Sequence, residues 1–196
     1  MAIGPGATAV GLKTSDAVIL AAEKRMTYGG FVVTKHVKKV FKITNNVGVA
    51  AAGLISDMQE LFRVVSYLIR LREIETGKIS SVKSIAKLTS NLMYNRKLFP
   101  YYTQVIIGGV IDKPELYSLD PLGSLIEDDY IVIGSGAEIA IGIIESRYNR
   151  TLSIDQARDL VITSIKTAIG RDALSGDGID MLIITSSGIK EETMVF

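Results

Sequence analysis

The apolar positions of this chain change their spacing as the chain proceeds. Through the first third they come in short runs, the mark of strands: residues 7–13, 17–23, 31–35, 39–44 and 47–52. Polar or glycine breaks separate them at Thr14-Ser15-Asp16, Gly29-Gly30 and Asn45-Asn46. From residue 55 to about 76 the period becomes helical, with Met58, Leu61, Phe62, Val65, Leu68 and Leu71 on one face. Ser56 and Gln59 fit a capping box at the start of that helix. A second helix is predicted over 81–98, with Val82, Ile85, Leu88, Leu92 and Met93 inward. Strands return at 103–110, 116–120 and 130–133. Helices follow over 137–147 and 153–170, the latter opened by a Ser153/Gln156 box, and strands close the chain at 179–185 and 193–196.

Strands cluster and helices come in pairs, which argues against a doubly wound parallel sheet. Several strands (VILAA, VIIGGV, MLII) are apolar on both faces. A strand buried on both faces needs a layer on each side. Two sheets with helices outside them meet that need, so the expected fold is α+β, a four-layer α-β-β-α sandwich. The four prolines mark turns, no linker or repeat interrupts the 196 residues, and one domain is expected over 7–196 after a short leading segment, 1–6.

Composition narrows the chemistry. Lys and Arg number 22 against 21 Asp and Glu, a net charge of +1, so nothing suggests a grip on nucleic acid. There is no cysteine, which excludes disulfides, thiolate metal sites and a cysteine nucleophile. A single histidine, His36, excludes a multi-histidine metal site and reads as a surface side chain. Neither metal nor cofactor is expected. No run approaches the ~18 apolar residues of a membrane span, and the N-terminus lacks the pattern of a secretory signal. The chain reads as soluble and cytoplasmic, with no membrane partner.

Two charges break their local pattern. Alternation puts Lys39 on the face of Phe41 and Ile43, and Glu23 on the face of Ile19 and Ala21. An inward lysine needs a partner or a chemical task. Two loops also stand out: Gly134-Ser135-Gly136 between a strand and a helix, and Arg171 through Gly178 (RDALSGDG) between a helix and an apolar strand. By itself each is a turn or a cap.

Together these segments resemble a β-type subunit of the proteasome core particle, of the archaeal kind, in the N-terminal-nucleophile hydrolase superfamily. The resemblance runs through ATAVG at 7–11, AAEKR at 21–25, KKVFKI at 38–43, AAAG at 50–53, GSG at 134–136 and RDALSG at 171–176. It covers essentially the whole chain, and that family has the four-layer sandwich expected above. It implies a threonine protease that degrades unfolded proteins in a closed chamber, with seven-membered β rings beside α subunits and ATPase regulators acting through the α ring. In the family an N-terminal threonine, freed by self-cleavage, is the nucleophile. The resemblance assigns Glu23 and Lys39 to the pair beneath it. It assigns Gly53 to the oxyanion hole, and Ser135, Asp172 and Ser175 to ordering the terminal amine. The pocket for the substrate side chain would be lined by Met26, Val37, Ala51 and Ile55, which favours an apolar residue before the cut.

The departure is at the centre: the nucleophile position is Ala7. Alanine has no hydroxyl, so it can neither attack a peptide nor release itself from Gly6. The resemblance therefore implies a catalytically inactive, architectural subunit working beside a second, active β subunit, with residues 1–6 as a propeptide. The alternative is an active endopeptidase subunit in which Ala7 is an engineered replacement, or in which Thr8 substitutes. Ala9, which also stands where the family carries threonine, speaks for a natural variant. Thr8 faces the opposite side of its strand from residue 7.

Overall fold

The computed structural model describes residues 6–196. The leading segment 1–6 lies outside the described residues except for Gly6. In chain order the elements are β1 (Thr8–Lys13), β2 (Val18–Glu23), β3 (Met26–Tyr28), β4 (Phe31–Thr34), β5 (Val40–Lys42), β6 (Val47–Gly53), α1 (Ile55–Thr76) and α2 (Val82–Tyr94). They continue with β7 (Thr103–Val110), β8 (Pro114–Leu119), β9 (Leu125–Glu127), β10 (Tyr130–Gly134), α3 (Ala137–Arg147), α4 (Ile154–Ile169), β11 (Gly178–Thr185) and β12 (Gly188–Val195).

Two five-stranded antiparallel sheets form the middle, in the orders β10-β1-β2-β11-β12 and β5-β6-β7-β8-β9. Three apolar layers hold the sandwich together. Ala9, Val18, Leu20, Ala50, Ile106 and Leu182 pack between the sheets. Met58, Leu61, Phe62 and Ile85 of α1 and α2 cover the outer face of the second sheet. Ala140, Ile144, Leu160 and Ile165 of α3 and α4 cover the first. Small residues bring the sheets close: a Cβ on Gly108 would lie 2.6 Å from Val18. β1, β2 and β11 are buried on both faces because a layer lies on each side, as their unbroken apolar runs require.

Several expectations change in detail. The Ser56/Gln59 box does not form: α1 starts at Ile55 after Leu54, which makes no side-chain cap. The Ser153/Gln156 box does form, with both reciprocal bonds. The buried stripe of α1 passes through Ile69 instead of Leu71, because a straight helix drifts against a strict repeat over 22 residues. α2 stops at Tyr94, after which residues 95–100 are exposed. The short strands β3 and β9 were too brief to show a period, and β12 begins at Gly188 rather than 193 because hairpin pairing with β11 recruits the charged Lys190, Glu191 and Glu192.

Candidate functional site at one end of the sandwich

The segments singled out in the sequence meet at one end, where β1 begins, β2, β6 and β10 finish, and β5 and β11 start. Register brings them there: Thr8 pairs with Gly134, Glu23 with Ile179, and Gly53 with Thr103.

Glu23 and Lys39 touch, although alternation points them away from each other. Glu23 follows Ile19 and Ala21, which face α3 and α4, and Lys39 precedes Phe41, which packs on the α1–α2 side. The pair forms because both residues sit at strand ends, where the side chains turn across the end of the sandwich. The Glu23 carboxylate takes Lys39 Nζ on Oε1, and the backbone N–H groups of Arg25 (2.7 Å) and Gly176 (3.0 Å) on Oε2. Lys39 Nζ also donates to the Arg25 carbonyl at 2.6 Å. Two of its three protons are thereby used, and the side chain lines the pocket described below. Both side chains are essentially shut off from solvent. Burial pushes the Lys39 ammonium below its usual range, against the pull of Glu23. Burial likewise pushes the Glu23 carboxyl up, against Lys39 and the two backbone donors.

Ala7 is fully buried in the layer between the sheets. Its N–H donates to Ser135 Oγ at 3.1 Å. The single Ser135 proton goes to Asp172 Oδ2 at 2.5 Å, the shorter of its two acceptor contacts. Ser175 Oγ donates to the same carboxylate oxygen at 2.6 Å. With that proton committed, the buried Thr8 hydroxyl, 2.8 Å away, is the donor to Ser175. Ala7, Ser135, Asp172 and Ser175 are thus one hydrogen-bonded chain. Thr8 joins it from the far face of the strand, as alternation predicts.

A pocket of about 230 Å³ opens beside Lys39 and Gly53. Met26, Ile55, Leu54, Tyr28 and Tyr102 give it apolar walls, and Gly6 lies at its edge. Gly53 has φ +139°, and a Cβ there would lie 2.2 Å from the Tyr102 carbonyl oxygen, so the position is restricted to glycine. Met26 and Ile55 line this pocket; Val37 and Ala51 do not. Ala51 is sealed in the core under α1, because its strand face is the helix side. Val37 is half-buried, held by its N–H to the Lys24 carbonyl at 3.0 Å. His36 is exposed. Among the described residues no three His, Asp or Glu side chains gather as metal ligands would.

Sequence reasoning missed three groups. Arg25 binds Asp177 through Nε (2.7 Å) and Nη2 (3.3 Å), and Ala173 O through Nη1 (3.1 Å). Tyr28 and Tyr102 form pocket walls. Lys24 pairs with both oxygens of Asp180 at 2.8 and 2.7 Å, and Thr193 caps that carboxylate at 2.7 Å. The last had a signal: Asp180 is a charge inside an otherwise apolar strand.

Comparison with known proteins agrees with this architecture. A family profile described as proteasome subunit matches residues 4–184. The chain is 47% identical over 194 residues to proteasome subunit beta 2 of Thermofilum pendens, covering 98% of this chain and 95% of that protein. It is 46% identical over 185 residues to proteasome subunit beta 1 of Ignicoccus hospitalis, covering 94% and 93%. Proteasome subunit beta 1 of Nitrosopumilus maritimus is 45% identical over 189 residues, covering 96% of each chain. No helix among the described residues is long and apolar enough to cross a membrane.

Proposed function

This chain belongs to the proteasome family as a β-type subunit of the core particle, and from that premise we propose that it builds the β ring without cutting peptide bonds itself. The observation that carries this is Ala7. A Ser–Asp–Ser network reaches residue 7, a buried Lys–Glu pair and a glycine-restricted backbone stand at the same end of the sandwich, and the side chain of residue 7 is a methyl group. Threonine hydrolysis needs an oxygen that gives up its proton, adds to the carbonyl carbon and becomes an ester while the amine leaves. A methyl group has no lone pair to add. The remaining donors would still polarise a carbonyl, but without a nucleophile only a small residual rate over water survives.

In this reading the chain occupies seven-membered β rings beside α subunits and a second, active β subunit. ATPase regulators deliver unfolded proteins through the α ring. The same missing hydroxyl prevents self-cleavage after Gly6, so residues 1–6 stay unless a neighbour removes them. Thr8 is not a substitute nucleophile here, since its hydroxyl is buried against Ser175 on the opposite strand face.

Two measurements test this. The first is peptide hydrolysis by particles in which the partner β subunit has lost its nucleophile. No turnover is expected, and turnover by this chain would overturn the reading. The second is the intact mass of the chain taken from assembled particles. The full 21.2 kDa or loss of residues 1–6 both fit an inactive subunit, closed in the first case and trimmed by a neighbour in the second. Loss of residues 1–7 would free the Thr8 amine and overturn it.

A further inference from the structure

We propose that the Arg25 guanidinium is a positioning residue that, paired with Asp177, fixes the 172–176 loop so that Asp172 and Ser175 keep their place over the Glu23–Lys39 pair. This rests on the reading of the site given above. Arg25 is bonded to both halves of the site through its backbone and its side chain. Its backbone N–H and carbonyl hold Glu23 and Lys39. Its side chain holds the loop on both sides of Ser175, at Ala173 O and at the Asp177 carboxylate.

The loop needs such a hold. It runs between the end of α4 and the start of β11, and among the described residues its other hydrogen bonds to residues 23–25 are at Gly176: its N–H to the Glu23 carboxylate and its carbonyl from the Lys24 N–H at 3.2 Å. Those fix Gly176 but not Ala173. The guanidinium lies flat against the loop, and a Cβ on Gly176 would come within 2.3 Å of it. Asp177 is the only non-glycine among the described residues with positive φ, +69°. A conformation that L side chains seldom adopt persists only where surrounding bonds over-determine it, and the bidentate Arg25 contact supplies them. The charged groups facing Arg25 are Asp177, Glu23 and Asp172, with Lys39 beside Glu23 and an exposed Lys35 3.7 Å from Asp177. A cation here favours the ionised form of Glu23.

The test uses assembled particles and three variants, Arg25→Gln, Arg25→Lys and Asp177→Asn. Asp177→Asn leaves all backbone bonds of Arg25 in place and keeps the test readable if Arg25→Gln fails to assemble. With Ala7 unchanged, amide hydrogen exchange at Leu174, Ser175 and Gly176 should accelerate tenfold or more in Arg25→Gln and Asp177→Asn, and less in Arg25→Lys, while the middle of β1 and β11 is unaffected. Unchanged exchange in the loop overturns the proposal. The same variants are then made with Ala7→Thr. Where that background hydrolyses peptide, kcat should fall tenfold or more with KM within twofold, and the acid limb of the pH profile should move up. An unchanged kcat and pH profile would show a loop staple without a positioning role, and that too overturns the proposal. If Ala7→Thr alone gains no hydrolysis, the competence of the retained site groups fails, and loop exchange still decides for or against Arg25.

Discussion

The two ends of the sandwich close in different ways. At the end away from the site, β1 and β2 are joined by a turn in which Thr14 Oγ1 accepts the Ala17 N–H at 3.1 Å. There Asn46 spans the two sheets, giving its side-chain amide to Thr185 O at 3.1 Å and Ser186 O at 3.2 Å, while its carbonyl takes the Val110 N–H. The charged pair at that end, Lys13–Asp129, buries its lysine but leaves its carboxylate 38% exposed. At the site end the strand termini are held by Glu23, Lys39, Lys24 and Asp180, all buried. Neutral turns would close either end at lower desolvation cost, since a buried ion pair often gains little over an apolar substitute. Among the described residues the site end is where both partners of such pairs are buried, and the arrangement stands with alanine at position 7.

The largest expected effect tests this contrast directly. Lys39→Met strands the Glu23 carboxylate in the interior and should cost about 3–5 kcal/mol in thermal or denaturant unfolding. The double variant Glu23→Gln/Lys39→Met should be more stable than the sum of the two single changes predicts. Strict additivity would mean the pair is not coupled. Next, Gly53→Ala meets both its positive φ and the Tyr102 carbonyl, and should cost roughly 1–3 kcal/mol or more. An unfolding midpoint equal to the parent's would show that the end of β6 is pliable. At the opposite end, Asn46→Ala removes two hydrogen bonds and should cost about 1–2 kcal/mol without altering exchange in the 172–176 loop. A change in that loop would show that the two ends are linked through the sheets.

The smallest effect concerns acid. The Arg25 guanidinium holds the Asp177 carboxyl below its ordinary value of 3.8. A depressed acid contributes stability that is present above its unfolded value and is lost as pH falls through the lower folded one. The pair should therefore weaken only below about pH 4. Asp177→Asn should flatten that part of the stability curve, while Asn46→Ala should leave its slope unchanged. An identical acid slope in parent and Asp177→Asn proteins would remove Asp177 from the account.

Much of this was written in local order. Strands apolar on both faces demand a layer on each side, so VILAAE and GIDMLIIT already implied the four layers that the three apolar clusters confirm. Alternation placed Thr8 opposite residue 7, and its hydroxyl is on Ser175. The resemblance marked Glu23, Lys39, Ser135, Asp172 and Ser175, and the fold gathers them. The missing hydroxyl at position 7 needs no structure at all. What the period could not give was the contact between Glu23, grouped with Ile19 and Ala21, and Lys39, grouped with Phe41 and Ile43, or the Arg25 link to Asp177, 152 positions along the chain. Nor could it show that Ala51 is sealed under α1 while Tyr102 reaches the pocket. The physical reason is one of range. Side-chain periodicity records which face of its own element a residue presents, a property of a few neighbouring residues. Which strand ends share a volume is set by the register between sheets and by how closely glycine and alanine let them approach, and only the packed chain fixes that.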